Sequence, residues 1–317
     1  MTAPTTRPVV VGVDGSESAS SAVRWAARTA MLRGAPLHAV HAMSSGWDLG
    51  DHLGVFTLHH QGFREAGEAA LAAARAAAHA ETAPYPLTVR TSLVSPSPIS
   101  TLRRRARHAQ LLVVGARGLG VFERTLLGSV SSALARRPRC PLAVIPGPQP
   151  PESRHLPVLV GVDGSPASHR AVEFAIGEAS RRGVGLVAIS LWNDPHPGPR
   201  TTEIAETAHR LLAETLAGYP EEFPDVDVTR LVAHDEPAHR LVQESAGAQL
   251  IVLGSHNSGI TRVTRRSVSG AVLGAAKVPV VIIGQQSRHR PFHRQEDTSA
   301  RSSERAVAVR RASRPPS

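Results

Sequence analysis

The chain has 317 residues, 41% hydrophobic and 20% charged, the balance of a globular protein long enough for two domains of about 100 to 150 residues. Aromatics are only 3%, so its cores are built from Val, Leu, Ala and Ile, and the single Cys140 excludes a disulfide framework, a zinc knuckle and a Cys-x-x-Cys redox pair. The formal charge of +10 points to an anionic partner until it is located: residues 285–317 carry eight arginines against Glu296, Asp297 and Glu304, so half the excess sits in that tail.

The N-terminal MTAPTTRPVVVGVDG has no basic-then-apolar signal region, and no apolar run approaches the ~20 residues of a membrane span, so a cytoplasmic protein is expected. Short β-branched runs then alternate with helical segments. VVVGV, LHAVHAM, LTVRTSLV, LLVVG and PLAVIP are strands, those leading to Asp14 and Gly115 almost wholly apolar, as strands buried on both faces must be. Between them, ESASSAVRWAARTAMLRG places Val23, Ala26, Ala27 and Ala30 on one face, with Ser16 or Ser18 as N-cap and Gly34 as stop. FREAGEAALAAARAAAHAET, SPISTLRRRARHA and SVSSALARR supply the other helices, while residues 44–63 form a long strand-to-helix loop placed to cover a site.

The pattern then repeats. VVVGVDGSESASSAVRWAARTAMLRGAPL (9–37) returns as VLVGVDGSPASHRAVEFAIGEASRRGVGL (158–186), AQLLVVGARGLG (109–120) as AQLIVLGSHNSG (248–259), and CPLAVIPG (140–147) as VPVVIIGQ (278–285). The fold class expected is α/β: two tandem Rossmann-like domains over residues 1–147 and 156–285, each a five-stranded parallel sheet with about four helices, joined by a proline-rich linker at 148–155. Residues 286–317, Ser/Arg/Pro-rich and without apolar period, are expected to be a disordered basic tail.

In such a sheet ligands lie beyond the carboxyl ends of the strands, where strand order reverses. Asp14 ends the first strand and Gly115 the fourth. Asp14 is either an acceptor for a base or ribose or an ordinary turn carboxylate, since Asp-Gly-Ser is also turn chemistry. Gly115 and Gly118 permit a close backbone approach, and Gly128 with Ser129 opens a helix whose free N–H groups and hydroxyls, including Ser131, suit a phosphate without a lysine. A P-loop is excluded because Lys277 is the only lysine, and no nucleophile elbow occurs.

The constellation GVDGS, then GARG, nine residues, GS and a terminal CPLAVIP resembles the universal stress protein family in its ATP-binding branch, as a tandem two-domain member. The resemblance implies sheet order 3-2-1-4-5, ATP with Mg²⁺ between the ends of strands 1 and 4, and pairing through the last strands. It places the base side of the site on Gly12, Asp14 and the backbone of Val40, the ribose and phosphate loop on Gly115, Arg117 and Gly118, and the phosphate turn on Gly128, Ser129 and Ser131. The second copy keeps Asp163, Gly254, Ser267 and Ser269 but has Asn257 where the second glycine belongs and Arg266 before Ser267, so weaker or absent ATP binding is expected there. The functional expectation is a stress-response regulator that signals through nucleotide-dependent contact with a protein partner. The copies would form a pseudo-dimer, with a homodimer of chains a further option, and no membrane or specific nucleic-acid partner is expected. The alternative is a slow ATPase or nucleotidyl-transfer enzyme.

Overall fold

A computed structural model describes residues 7–43, 56–95, 97–118, 127–193, 201–255 and 267–285, with the side chains of 56–60 and 201 excepted. The first copy runs β1 (Val9–Gly12), α1 (Glu17–Leu32), β2 (Leu37–Ala42), α2 (Phe56–Thr82), β3 (Val89–Val94), α3 (Pro98–Ala106), β4 (Leu111–Gly115), α4 (Ser129–Arg136) and β5 (Leu142–Ile145). The second runs β6 (Val158–Gly161), α5 (Pro166–Arg182), β7 (Leu186–Trp192), α6 (Thr201–Leu216), a short α7 (Tyr219–Glu222), β8 (Val228–His234), α8 (Pro237–Glu244), β9 (Leu250–Gly254), α9 (Val268–Ala275) and β10 (Val280–Ile283). The punctuation follows the sequence signals. Ser16 accepts the Ala19 N–H at 3.1 Å to start α1, Ser165 does the same for Ser168 at 3.1 Å in α5, and Gly183 ends α5 at φ +64°. One boundary differs from expectation: α2 begins at Phe56, inside the stretch read as loop, and Gly62, a helix-weakening residue by about 1 kcal/mol, does not stop it. Residues 44–55 of that loop and the basic tail lie outside the described residues.

The strands form one ten-stranded sheet in the order β3-β2-β1-β4-β5-β10-β9-β6-β7-β8. Each copy has the 3-2-1-4-5 order with parallel pairing, and β5 meets β10 antiparallel, Leu142 opposite Ile282 and Val144 opposite Val280. Because that seam reverses direction, all strands of the second copy point opposite to those of the first, and the carboxyl edges of the two copies lie on opposite edges of the sheet. Alternate residues of the seam strands serve two layers. Ala143, Ile145, Val281 and Ile283 face a core with α1, α2, α5 and α6. Leu142, Val144, Val280 and Ile282 face the core under α3, α4, α8 and α9. Neither core stops at the boundary between copies. The linker is fastened as well: Gln149 Nε2 donates to Lys277 O at 3.1 Å, and Arg154 pairs with Glu81 at 2.9 Å.

Above the seam, α1 and α5 meet around a buried charge cluster. Glu178 of α5 is 1% exposed and accepts from Arg33 at 2.7 Å and from Arg182 at 3.0 Å, with Arg181 at 3.4 Å. The cluster follows the pseudo-two-fold of the repeat. Arg33 donates to Gln110 of its own copy at 3.0 Å and lies 5.0 Å over Phe174 of the other; Arg182 donates to Gln249 of its own copy at 3.1 Å and lies 5.1 Å over Trp25 of the other. Two positions break the symmetry: Thr29, equivalent to Glu178, accepts from Arg182 at 3.0 Å, and Arg181 has Leu32 as its counterpart. Burial pushes the Glu178 carboxyl up, but the guanidiniums of Arg33, Arg182 and Arg181 outweigh it and hold the group down to about 2. Three cations about one anion also act on each other: burial and then Arg33 bring Arg181 down to about 10.

Glu178→Gln is therefore expected to lower stability by roughly 3 kcal/mol at neutral pH, since it leaves buried guanidiniums without their anion. The folded value lies below the ordinary 4.5, so this contribution is complete above that pH and disappears as pH falls toward 2. Urea unfolding of both proteins across this range checks it. The gap between them is to be constant near neutrality and to close below about pH 4.5.

Candidate functional site

The switch point of the first copy lies between β1 and β4, which pair directly, Val11 opposite Val113. Beyond β1 the chain enters a tight turn in which Asp14 Oδ1 accepts the Ser16 N–H at 3.0 Å and Gly15 takes φ +88°, a conformation other residues reach only at a cost. The turn fixes one carboxylate oxygen and leaves Oδ2 to the cleft. Beyond β4 the chain runs through Gly115, Ala116, Arg117 and Gly118, and it is held against the first turn of α1: the Arg117 N–H donates to Ser18 Oγ at 3.3 Å, while that hydroxyl donates to Ile145 O at 3.3 Å.

The glycines of this loop do different things. A Cβ on Gly115 would overlap Ser18 Oγ and stand 2.9 Å from the Ser18 carbonyl carbon, so this glycine lets β4 pass under α1. A Cβ on Gly12 would stand 3.1 Å from Leu102, which makes Gly12 a packing position for α3. A Cβ on Gly118 would stand 2.7 Å from Asp14 Oδ2. The carboxylate and the bare backbone at 118 thus face one another across a gap that a side chain would fill. Arg117 and Gly118 are both exposed.

The chain returns at Gly128, whose N–H donates to Ala116 O at 2.7 Å, bringing the start of α4 beside the 115–118 loop. Gly128 is the N-cap and contributes no side-chain cap bond, and Ser129 follows it, exposed. Ser131 faces inward: it is 2% exposed and its hydroxyl lies 3.1 Å from Ala116 O and 3.0 Å from Gly128 O, tying the turn together. Val40 is buried, and its carbonyl already accepts the Val13 N–H at 2.9 Å. The cleft wall continues past it to His41, half-buried against Gly67 of α2; burial lowers its imidazole, opposed by the Val13 backbone and by Asp14. His41 and Ser18 are the residues sequence reasoning passed over. Ser18 appeared only as a capping candidate and His41 only as part of a strand, and the proximity of each to the loop depends on the packing of α1 and α2. The spacer 119–126 lies outside the described residues.

The second copy builds the same turn. Asp163 Oδ1 accepts the Ser165 N–H at 2.9 Å, Gly164 has φ +76°, and a Cβ on Gly254 would stand 2.8 Å from Ser168 N. The helix start differs: Ser267 caps α9 with its own hydroxyl, accepting the Gly270 N–H at 3.1 Å, and Ser269 Oγ stands 3.5 Å from Ser267 Oγ. One donor that is uncapped in α4 is occupied in α9. Asn257 and Arg266 lie outside the described residues.

A twisted parallel sheet with a carboxylate turn and a glycine loop at its switch point, made twice in one chain, defines a tandem Rossmann-like α/β protein. The chain belongs to the universal stress protein family, whose model matches residues 5–146 and again 156–284. A universal stress protein of Mycobacterium tuberculosis is 42% identical over 287 residues, covering 87% of this chain and 97% of the relative. One from Mycolicibacterium smegmatis is 41% identical over 285 residues, covering 87% and 96%. Among solved structures, a universal stress protein from Archaeoglobus fulgidus shares the fold with TM-score 0.64 at 17% identity, over 88% of this chain and 98% of that one.

The two loop glycines are separable by experiment. Gly115→Ala pushes a methyl into the first turn of α1 and is expected to destabilise the protein by about 1–3 kcal/mol. Gly118→Ala meets only the Asp14 side chain and is expected to change stability by less than about 0.5 kcal/mol, as surface substitutions do. Chemical denaturation of the two variants beside the parent measures the difference.

Proposed function

We propose that the first copy binds an adenine nucleotide, ATP with Mg²⁺, in the cleft between Asp14 and the 115–118 loop, and that its occupancy controls contact with a protein partner in the cytoplasm. The observation that carries this reading is the Asp14–Gly118 pair, an oriented carboxylate facing backbone with room that a Cβ would remove. Asp14 Oδ2 accepts from a ribose hydroxyl or the base, and Gly118 admits the sugar against the main chain. The base lies past Val40, against the end of β2 at His41 and Ala42, because the Val40 carbonyl holds Val13. The phosphates reach the uncapped start of α4, where main-chain N–H groups at the positive end of the helix and the Ser129 hydroxyl receive them, with Arg117 adding charge from the loop. Ser131 shapes this turn from behind rather than touching the ligand. Asp163 repeats the carboxylate turn in the second copy and Gly254 the close passage of its strand under α5, but Asn257 stands where Gly118 does and the self-capped start of α9 weakens the phosphate half.

Calorimetric titration of the purified chain with ATP and Mg²⁺ is expected to give one tight equivalent. Asp14→Ala, which removes a charge-assisted hydrogen bond of about 1.5–3 kcal/mol, is expected to weaken binding by about 10- to 150-fold, and Gly118→Ala by at least about tenfold. Two equal sites would remove the distinction between the copies, and failure of any adenine nucleotide to bind would sink the reading altogether.

A further inference from the structure

The charge of the folded body is concentrated in one region. Residues 98–140 contain nine arginines and one acidic residue, Glu123, whereas residues 1–97 have seven basic and seven acidic residues and residues 141–284 have twelve and fifteen. Seven of the nine arginines lie on α3 and α4 or just past their C-terminal ends. These two helices pack side by side, and Arg103 bridges them by donating to Ala133 O at 2.9 Å. Arg103, Arg137 and Arg139 line one shallow depression there. Arg104, Arg107, Arg136, Arg137 and Arg139 are exposed, and none of their side chains makes a hydrogen bond or ion pair among the described residues. Burial, and then the charges of Arg105 and Arg90, push the nearby His38 imidazole below its ordinary value.

Basic residues at helix C-termini are ordinarily explained by the helix dipole. The second copy is an internal control on that explanation, because it folds the same two helices with six of the seven arginines replaced by uncharged or acidic residues. By the repeat spacing, Arg103, Arg104 and Arg105 correspond to Val242, Gln243 and Glu244, Arg107 to Ala246, and Arg136 and Arg137 to Gly274 and Ala275; only Arg139 has a basic counterpart, Lys277. Its one arginine here, Arg240, is paired with Glu244 at 2.7 Å and with Asp235 at 3.8 Å. The fold therefore does not need the arginines, and crowding unpaired cations on one face opposes folding through self-repulsion.

We propose that the α3–α4 face is a docking surface for double-stranded nucleic acid, gripped through its phosphodiester backbone without base recognition. The chemistry around the arginines favours this occupant. Among the described residues no Phe, Tyr or Trp lies beside these arginines, so there is no large aromatic platform on which single-stranded bases would stack. Leu102, Ala106 and Leu134 are buried against the sheet, Ile99 and Val130 are half-buried, and no large apolar side chain of the two helices is exposed for insertion into a bilayer. The depression has a volume of about 10 Å³, room for about one water and not for an anchoring side chain of an acidic peptide. What remains is a rigid cationic array at the edge of the sheet opposite the Asp14 cleft.

The test uses the full chain and fluorescence anisotropy with 25-base-pair duplexes of two unrelated sequences between 50 and 200 mM salt. The eight tail arginines are replaced by glutamine so that only the face contributes. Five phosphate contacts then give a log–log salt slope of about −4.5, a loss of about 500-fold across this range, with equal affinity for both sequences. Adding Arg104→Gln, Arg136→Gln and Arg137→Gln makes the slope shallower by about 2.7, while the same three changed to lysine keep it, because phosphate contact needs only the charge. Unchanged thermal unfolding of the glutamine variant shows that its loss is not misfolding. The proposal is overturned if the tail replacement alone abolishes binding, if the glutamine variant keeps the slope, or if lysine fails to keep it. Stronger binding to phosphatidylserine vesicles or to poly-glutamate than to the duplex overturns it as well.

Discussion

Two edge strands, β5 and β10, each with a main-chain edge that cannot be left dry in a protein interior, satisfy one another across the middle of the sheet. Everything else in the architecture follows from this antiparallel contact. Leu142, Ala143, Val144 and Ile145 are all at most 2% exposed, as are the β10 residues opposite them, so either copy alone would present a bare apolar strand to water. The pairing also sets polarity. By reversing strand direction it sends the two switch points to opposite edges of the sheet, which fixes the Asp14 and Asp163 turns on opposite edges as well. The α3–α4 face, at the amino edge of the first copy, consequently looks the same way as the cleft of the second.

Much of this was legible because the sequence contains the fold twice. The repeat alone located both copies, and the apolar runs ending at Asp14 and Gly115 identified strands buried on both faces. The glycine spacing placed the loop, yet it could not separate Gly115, which accommodates α1, from Gly118, which faces Asp14, because both are simply glycines after a strand. Likewise, the resemblance names Val40 and Ser131 but is silent on hydrogen bonds, and the main-chain carbonyl of one and the hydroxyl of the other are engaged internally. The start of α2 was obscured by Gly62, whose local preference is overridden by a helix of 27 residues. The arginine run in LRRRARHA reads in the sequence only as part of a helix. Its weight appears only when α4 brings Arg136, Arg137 and Arg139 beside it.

The buried carboxylate at Glu178 was the least legible feature and is the most instructive. On its own helix it sits among Ala175, Ile176 and Ala179, where a charged residue contradicts the apolar pattern. Its partner Arg33 is 145 residues away, at the end of α1, and only docking of the copies brings the two together. Local reasoning therefore sees an error in the amphipathic pattern where the assembled protein has its central ion cluster. A cluster of this kind adds little net stability compared with an apolar replacement, but it penalises any docking that leaves Glu178 or the arginines unpaired. It specifies one way for α1 and α5 to meet.

That cluster also shows what fusion of the copies makes possible. Around the pseudo-two-fold, Arg33 matches Arg182, Gln110 matches Gln249, and Trp25 matches Phe174, all in equivalent roles. A dimer of identical subunits would have to carry the same residue at both central positions. Two threonines would leave the arginines without an anion, and two glutamates would crowd like charges at the axis. A single chain can place Thr29 on one side and Glu178 on the other, so that one carboxylate serves arginines from both halves. Once the axis is broken at its centre, the two copies are free to diverge farther out. The uncapped start of α4 against the self-capped α9, and the arginine face of α3–α4 against the neutral α8–α9, are departures from symmetry of the same kind, supported by a seam that itself remains nearly symmetric.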